Sequence, residues 1–184
     1  MVPLKMSKFP KPPRLFVVMG VAGCGKSTIG AQLADKIGAA FLDGDAFHPA
    51  SNIEKMSRGE ALTDDDRWPW LETFGREIAK LSGPVVGGCS SLKRAYRERI
   101  TGAAGEPVLF IYLDGSRELI AARMGQRQGH FMPTTLLDSQ FAALEEPTAD
   151  ENAIHVDIDA TTETIVKHIV AALEHLNGDQ PPPD

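Results

Sequence analysis

Residues 20–27 read Gly-Val-Ala-Gly-Cys-Gly-Lys-Ser and fill every fixed position of the pattern G-x-x-x-x-G-K-[ST]. This octapeptide constrains the fold strongly, because it works only between a buried strand and the start of a helix. Leu15–Met19 before it is an unbroken apolar run, as expected of a strand covered on both faces. After it, Ile29, Leu33 and Ile37 recur at i, i+4 and i+8 as one helical stripe beginning near Lys26. In that setting the glycines let backbone N–H groups close around a β-phosphate. The helix N-terminus adds partial positive charge, and Lys26 reaches the β and γ oxygens. Ser27 supplies a hydroxyl to Mg2+, so Gly20, Val21, Ala22, Gly23, Cys24, Gly25, Lys26, Ser27 and the adjoining Thr28 form the expected nucleotide-phosphate site. Cys24, at a helix N-terminus beside Lys26, has the setting of a reactive thiol, although a small filler side chain is the plainer reading.

The rest of the chain alternates short apolar runs with longer amphipathic ones, which predicts βαβ units on a mainly parallel sheet. Further strands are expected at Ala40–Leu42, Val85–Val86, Val108–Leu113 and Ile154–Ile158. Helical pieces are expected around Asn52–Met56, after a cap at Asp65 or Asp66 with Pro69 in the first turn, from Ser91 to Ile100 and from Ser116 to Met124. One more holds Leu136, Leu137, Phe141 and Leu144, and the last carries Ile165, Ile169, Leu173 and Leu176 on one face. The expected architecture is a three-layer α/β/α P-loop NTPase fold with a five-stranded parallel sheet ordered 2-3-1-4-5. Residues 1–13 and 178–184 read as proline-rich tails around a single domain at 14–177, with an acceptor-binding insert at about 44–82 and a lid at about 123–135.

Composition narrows the function classes. The 184 residues carry 19 Lys+Arg against 25 Asp+Glu, a formal net charge of −6 that argues against a general nucleic-acid coat. The acid is unevenly spread: residues 1–129 hold 18 basic and 14 acidic side chains, whereas residues 130–184 hold one and 11. The segments expected to face anionic ligands are on the basic side of that division. No run approaches the length of a membrane span, no signal-type segment follows the Lys- and Pro-rich start, and two cysteines are too few for a disulfide framework. A cytoplasmic protein is the expectation. No Asn/Thr-Lys-x-Asp tetrapeptide for guanine is present, and the length favours a compact kinase.

Beyond the loop, Phe41-Leu42-Asp43-Gly44-Asp45-Ala46-Phe47-His48-Pro49, Asn52, Lys55-Met56, Gly59 and Leu62-Thr63-Asp64-Asp65-Asp66-Arg67-Trp68-Pro69-Trp70-Leu71 resemble the acceptor segment of the gluconokinase family. Gly88-Cys89-Ser90-Ser91-Leu92-Lys93-Arg94-Ala95-Tyr96-Arg97 and Arg127-Gln128-Gly129-His130-Phe131-Met132 resemble its other two signatures, so the likeness covers roughly residues 15–176. The resemblance implies transfer of the γ-phosphate of ATP to the 6-hydroxyl of D-gluconate, on a fold like that of shikimate and nucleoside monophosphate kinases, by a homodimer. The alternatives are a shikimate or nucleotide kinase of the same fold and a nucleotide-binding regulatory module without turnover.

Site residues follow from the chemistry such a transfer needs. Asp43-x-Asp45 ends a strand at the carboxyl edge where open α/β sheets bind ligands, and alternation would point both carboxylates one way. Asp45 is assigned to the acceptor hydroxyl as base or orienter, and Asp43 to the Mg2+ water shell, with capping of the next turn as its alternative. His48 is expected to hydrogen-bond the sugar acid and Arg58 to pair with its carboxylate, unless they are a turn residue and a surface arginine. Asp66 and Arg67 are substrate-side candidates, although dipole compensation accounts for at least one acid among 64–66. Ser90, Lys93 and Arg97 border the helix after the third strand, Lys93 and Arg97 sharing a face, and with its N-terminus they are expected to hold the gluconate carboxylate or a hydroxyl. Arg127 is the expected phosphate contact of the lid, Arg123 touches adenine or phosphate, and by resemblance the loop at Asp159-Ala160-Thr161 lies against adenine. Trp68 and Trp70 are read as packing and Asp114 as a turn residue.

Overall fold

The computed structural model describes residues 11–126 and 134–178. Five parallel strands, β1 (Leu15–Met19), β2 (Ala40–Asp43), β3 (Val85–Gly88), β4 (Val108–Asp114) and β5 (Ala153–Asp157), form one sheet in the expected order β2-β3-β1-β4-β5. The helices are α1 (Lys26–Ile37), α2 (Ala50–Ser57), α3 (Asp64–Lys80), α4 (Arg94–Ala104), α5 (Arg117–Gly125), α6 (Thr134–Ala143) and α7 (Thr162–Gly178). A short 3-10 turn, Gly44–Phe47, follows β2.

The uniform apolarity of β1 has its cause in two cores. Leu15, Val17 and Met19 meet Trp70, Leu71, Phe74 and Ile78 of α3 with Tyr96 and Ile100 of α4. Phe16 and Val18 on the opposite face join Ile29 and Leu33 of α1, Ile120 of α5, Leu137 of α6, and Ile165 and Ile169 of α7. Each such side chain contributes about 1.5–3 kcal/mol relative to exposure. The packing leaves all strand carboxyl ends on one edge, where the loops after β1, β2 and β3 meet. Among the described residues no helix is long and apolar enough to cross a membrane.

Three local expectations change. The cap of α3 is Thr63, whose Oγ1 accepts from Asp66 N (3.2 Å) while Asp66 Oδ2 accepts from Thr63 N (2.8 Å). This reciprocal box satisfies two otherwise unpaired donors, which neither Asp65 nor Asp66 as cap would achieve. The earlier start moves Pro69 beyond the first turn, where the carbonyl it cannot serve belongs to exposed Asp65 and water can take over. Finally, α4 begins at Arg94, because Ser91 has a φ of 48° and interrupts the helix.

Candidate active site

The phosphate loop lies where β1 hands the chain to α1. Gly25 precedes the helix in a left-handed conformation (φ 100°), α1 has no side-chain cap, and no acid stands in its first turn. Its first N–H groups therefore retain their attraction for an anion. Lys26 Nζ folds back on the loop, donating to the carbonyls of Gly20 (3.1 Å) and Val21 (3.0 Å). Gly20 N donates to Ser90 O (3.2 Å), which ties the loop to the turn after β3. Cys24, within the loop, is buried.

Asp43 takes the capping role given as its alternative, and its second oxygen stands near Ser27. Its Oδ1 accepts from Asp45 N (3.0 Å) and caps the 3-10 turn, while Oδ2 faces Ser27 Oγ at 3.4 Å. A hydroxyl and a carboxylate oxygen converging beside the phosphate loop fit a hard cation such as Mg2+ that keeps waters and phosphate oxygens as its other ligands. Among the described residues no group of three or more His, Cys, Asp or Glu could hold a metal alone. Asp45 lies beyond the end of β2, in the 3-10 turn, so the cap rather than strand alternation sets its direction. Gly44 makes the turn possible: a Cβ there would lie 2.6 Å from Gly88 O. The Cys89 thiol behind this turn is pushed up to about 11, mainly by burial.

His48 stacks on Trp70, with centroids 4.0 Å apart, and the Trp70 indole donates to Gly44 O (2.8 Å). Buried Asn52 fixes the imidazole. Its Nδ2 donates to the Asp66 carbonyl (2.9 Å), an obligate acceptor, and so the same amide nitrogen at 3.2 Å from His48 Nδ1 must be a donor as well. The imidazole proton is therefore on Nε2. Burial holds the His48 pKa below its ordinary value, Arg67 adding to this and Asp45 opposing it, so the ring is neutral at pH 7.

A second polar group closes the acceptor side. Asp64 receives Lys93 Nζ (3.2 Å), Arg67 Nη1 (3.4 Å) and the Tyr96 hydroxyl. The Tyr96 bond, followed by Lys93, holds the Asp64 carboxyl below its usual range even though partial burial opposes it. Asp66 is held at about 2, first by Lys55 (2.6 Å) and then by the Thr63 amide, so its side chain is engaged structurally. Asp64, Tyr96 and Asn52 lie within the quoted segments but carry no individual site role in the sequence; the capping box marks the start of α3, yet no local signal says that Tyr96 reaches Asp64.

Arg97 is a correction. Its side chain is only 2% exposed and forms a fork with Glu151, Nε–Oε2 2.6 Å and Nη2–Oε1 2.9 Å, while Nη1 donates to Ser91 O and Leu92 O. Lys93 precedes the first turn of α4, so the shared face expected of the pair does not form. The helix N-terminus itself is taken by Glu145, whose Oε2 accepts from Arg94 N (2.8 Å), and is thus already engaged by a carboxylate of this chain. Arg58 ends α2 as an exposed side chain paired with Glu60 (2.8 Å), matching its surface alternative. Arg123 donates to Ile158 O (2.6 Å) and Ala160 O (3.0 Å), beside Thr161, which caps the first turn of α7 through Thr164 N. Arg127 and most of the expected lid lie outside the described residues, as do residues 1–10 and 179–184 of the expected tails.

A parallel sheet of this order with a phosphate loop after its central strand, facing an acidic turn after β2, defines a P-loop kinase, and the AAA domain model matches residues 15–147. Gluconokinase of Gluconobacter oxydans (strain 621H) is 45% identical over 166 residues, covering 86% of this chain and 93% of that one, and thermosensitive gluconokinase of Escherichia coli (strain K12) is 49% identical over 150 residues, 78% of each. The chain belongs to the gluconokinase family. The crystal structure of a gluconokinase from Sinorhizobium meliloti 1021 superposes with a TM-score of 0.84 at 44% identity, covering 92% of this chain and 96% of that one. Shikimate kinase from Aquifex aeolicus, at TM-score 0.57 and 15% identity, shares the fold.

Proposed function

We infer that this protein transfers the terminal phosphoryl group of ATP to the 6-hydroxyl of D-gluconate, giving 6-phospho-D-gluconate and ADP and so feeding gluconate into central carbohydrate metabolism. The observation that carries the reading is the meeting of the phosphate loop and the Asp43–Asp45 turn at one edge of the sheet, in a chain of this family. Lys26 and the N–H groups opening α1 hold the β- and γ-phosphates. An acceptor alcohol keeps its proton at neutral pH, and exposed Asp45 orients it and takes that proton as the new O–P bond forms and ADP leaves with the bond it breaks. His48 offers an Nε2–H donor to a gluconate oxygen. Lys93 and Arg67 face the carboxylate, with Ser90 and Asp66 bordering the same space. Arg123, Thr161 and Arg127 serve the nucleotide.

Ser27 and, through water, Asp43 would hold Mg2+, which neutralises phosphate charge when bound. A cytoplasmic homodimer acting on two small molecules, rather than on nucleic acid or membrane, completes the reading, and sedimentation equilibrium tests the dimer. A coupled ADP-release assay over sugar acids, shikimate and nucleoside monophosphates tests the reaction. Gluconate is expected to raise the rate far above the ATPase background. No rise with gluconate overturns the reading: a rise with shikimate or a nucleotide instead moves the acceptor, and nucleotide binding without turnover on any acceptor leaves a regulatory module.

A further inference from the structure

One donor of the phosphate loop is already engaged from far along the chain. Ala22 N donates to Oε1 of Gln140, at 2.7 Å and 118 residues away. Gln140 stands on α6, which is fixed independently of this bond: Leu137 is buried in the core, and Asp138 pairs with Arg117 of α5. The side chain thus reaches the loop from an anchored helix rather than from a wandering loop. Because a backbone N–H can only donate, the atom facing it must be the amide oxygen. The Nε2 group of the same planar amide is then left beside the loop with two hydrogens to give.

We propose that Gln140 is a nucleotide-binding residue that senses the terminal phosphoryl group, presenting Oε1 to Ala22 N–H when the loop is empty and Nε2–H to a γ-phosphate oxygen when ATP is bound. This rests on the phosphate loop binding ATP, as inferred above. The chemistry requires the exchange: phosphoryl oxygens at neutral pH are acceptors, so an amide oxygen among them is repelled and an amide N–H attracted. Rotation about the terminal torsion of glutamine is broad and roughly two-fold, so the turn costs little. The γ rather than the β group is assigned because Lys26 and the uncapped first turn of α1 are shared between the β- and γ-phosphates, and the terminal group, with three free oxygens, needs further donors from outside the loop. Glutamine alone among residues of its size serves both states. Glutamate keeps the empty-loop bond and cannot donate, and leucine does neither.

Titration calorimetry of wild-type, Gln140→Glu and Gln140→Leu proteins with Mg-ADP and with a non-hydrolysable Mg-ATP analogue tests the assignment. A hydrogen bond to a charged oxygen predicts that Gln140→Leu weakens the ATP analogue about 10- to 100-fold and ADP by less than about threefold. Gln140→Glu, which is isosteric and retains the bond to Ala22, should keep the wild-type melting temperature and lose more affinity for the analogue than Gln140→Leu does. In steady state the loss should fall on the KM for ATP and leave the KM for gluconate within about twofold. Equal losses for both nucleotides, or unchanged affinity for the analogue in Gln140→Glu, would overturn the proposal. A wild-type protein that bound neither nucleotide would instead overturn the kinase reading beneath it.

Discussion

Replacing Glu151 by alanine should destabilise the fold although it touches no substrate, and the size of the effect can be worked from one buried pair. Arg97 is 2% exposed and Glu151 9%, and two parallel bonds join them. Removing the carboxylate strands a guanidinium in the core, which costs about 3–5 kcal/mol. For a chain of this length each kcal/mol moves the melting temperature by about 2–4 °C, so Glu151→Ala should melt about 6–20 °C lower in a calorimetric scan at pH 7.5. Burial pushes the Glu151 carboxyl up, but Arg97 and the Thr148 amide outweigh it and leave its pKa below the ordinary value. The pair therefore contributes fully above the ordinary glutamate range and fades as pH falls through the lower folded value, so the gap between wild type and variant should narrow on acidification. The same arginine holds the carbonyls of Ser91 and Leu92, next to the Ser90 carbonyl that receives Gly20 N, so below its melting point the variant should also show a raised KM for ATP. A double-mutant cycle with Arg97→Met separates the pair from its surroundings. A loss under about 1 kcal/mol for Glu151→Ala, or a coupling near zero, would mean that water screens the pair and would refute the reasoning.

Other substitutions probe the site itself. Asp45→Asn should lower kcat by about 10²- to 10⁴-fold in the coupled assay while calorimetry finds nucleotide affinity nearly intact; lost affinity would contradict the role given to Asp45. Asn52→Leu removes the donor that keeps His48 Nδ1 unprotonated, so the ring should protonate at higher pH and the acid limb of kcat/KM for gluconate should move upward, with ¹⁵N imidazole shifts reporting the tautomer. Gly44→Ala should cut kcat more than ATP affinity, since the new methyl meets a backbone oxygen at 2.6 Å and the turn carrying Asp45 must move. Chelation by EDTA should abolish turnover and added Mg2+ restore it, and Ser27→Ala should raise the metal concentration needed.

What the chain made legible follows the range of the interactions. The phosphate loop, the two-sided strand at Leu15–Met19 and the sheet order come from local pattern and handed crossovers, and they appear as expected. The start of α3 was legible only in part, since Thr63-x-x-Asp66 is a capping pattern built with an aspartate and its three consecutive acids compete for the role. The burial of Arg97 is not legible, because an i, i+4 pair of cations looks alike on a solvent face and on a buried one; its environment is set by Glu151, 54 residues further on. Gln140 gives no signal at all, because one more polar side chain on a half-polar helix acquires its meaning only from the loop packed against it.

Charge completes the account, and its arrangement matters more than its sum. The first 129 residues are formally basic and the last 55 strongly acidic, yet the acids return across the fold to occupy cations. Asp150 pairs with Arg94, Glu151 with Arg97, and Glu145 closes the N-terminus of α4. Cations of the first part are likewise answered within it, Arg99 by Glu72, Lys55 by Asp66 and Arg58 by Glu60. The carboxyl edge of the sheet is arranged differently. There Lys26 and Arg123 bond carbonyl oxygens, and Lys93 and Arg67 share the single carboxylate of Asp64. In a chain of net charge −6, positive charge thus still gathers at the edge where the phosphate loop opens, because many of the other cations are paired.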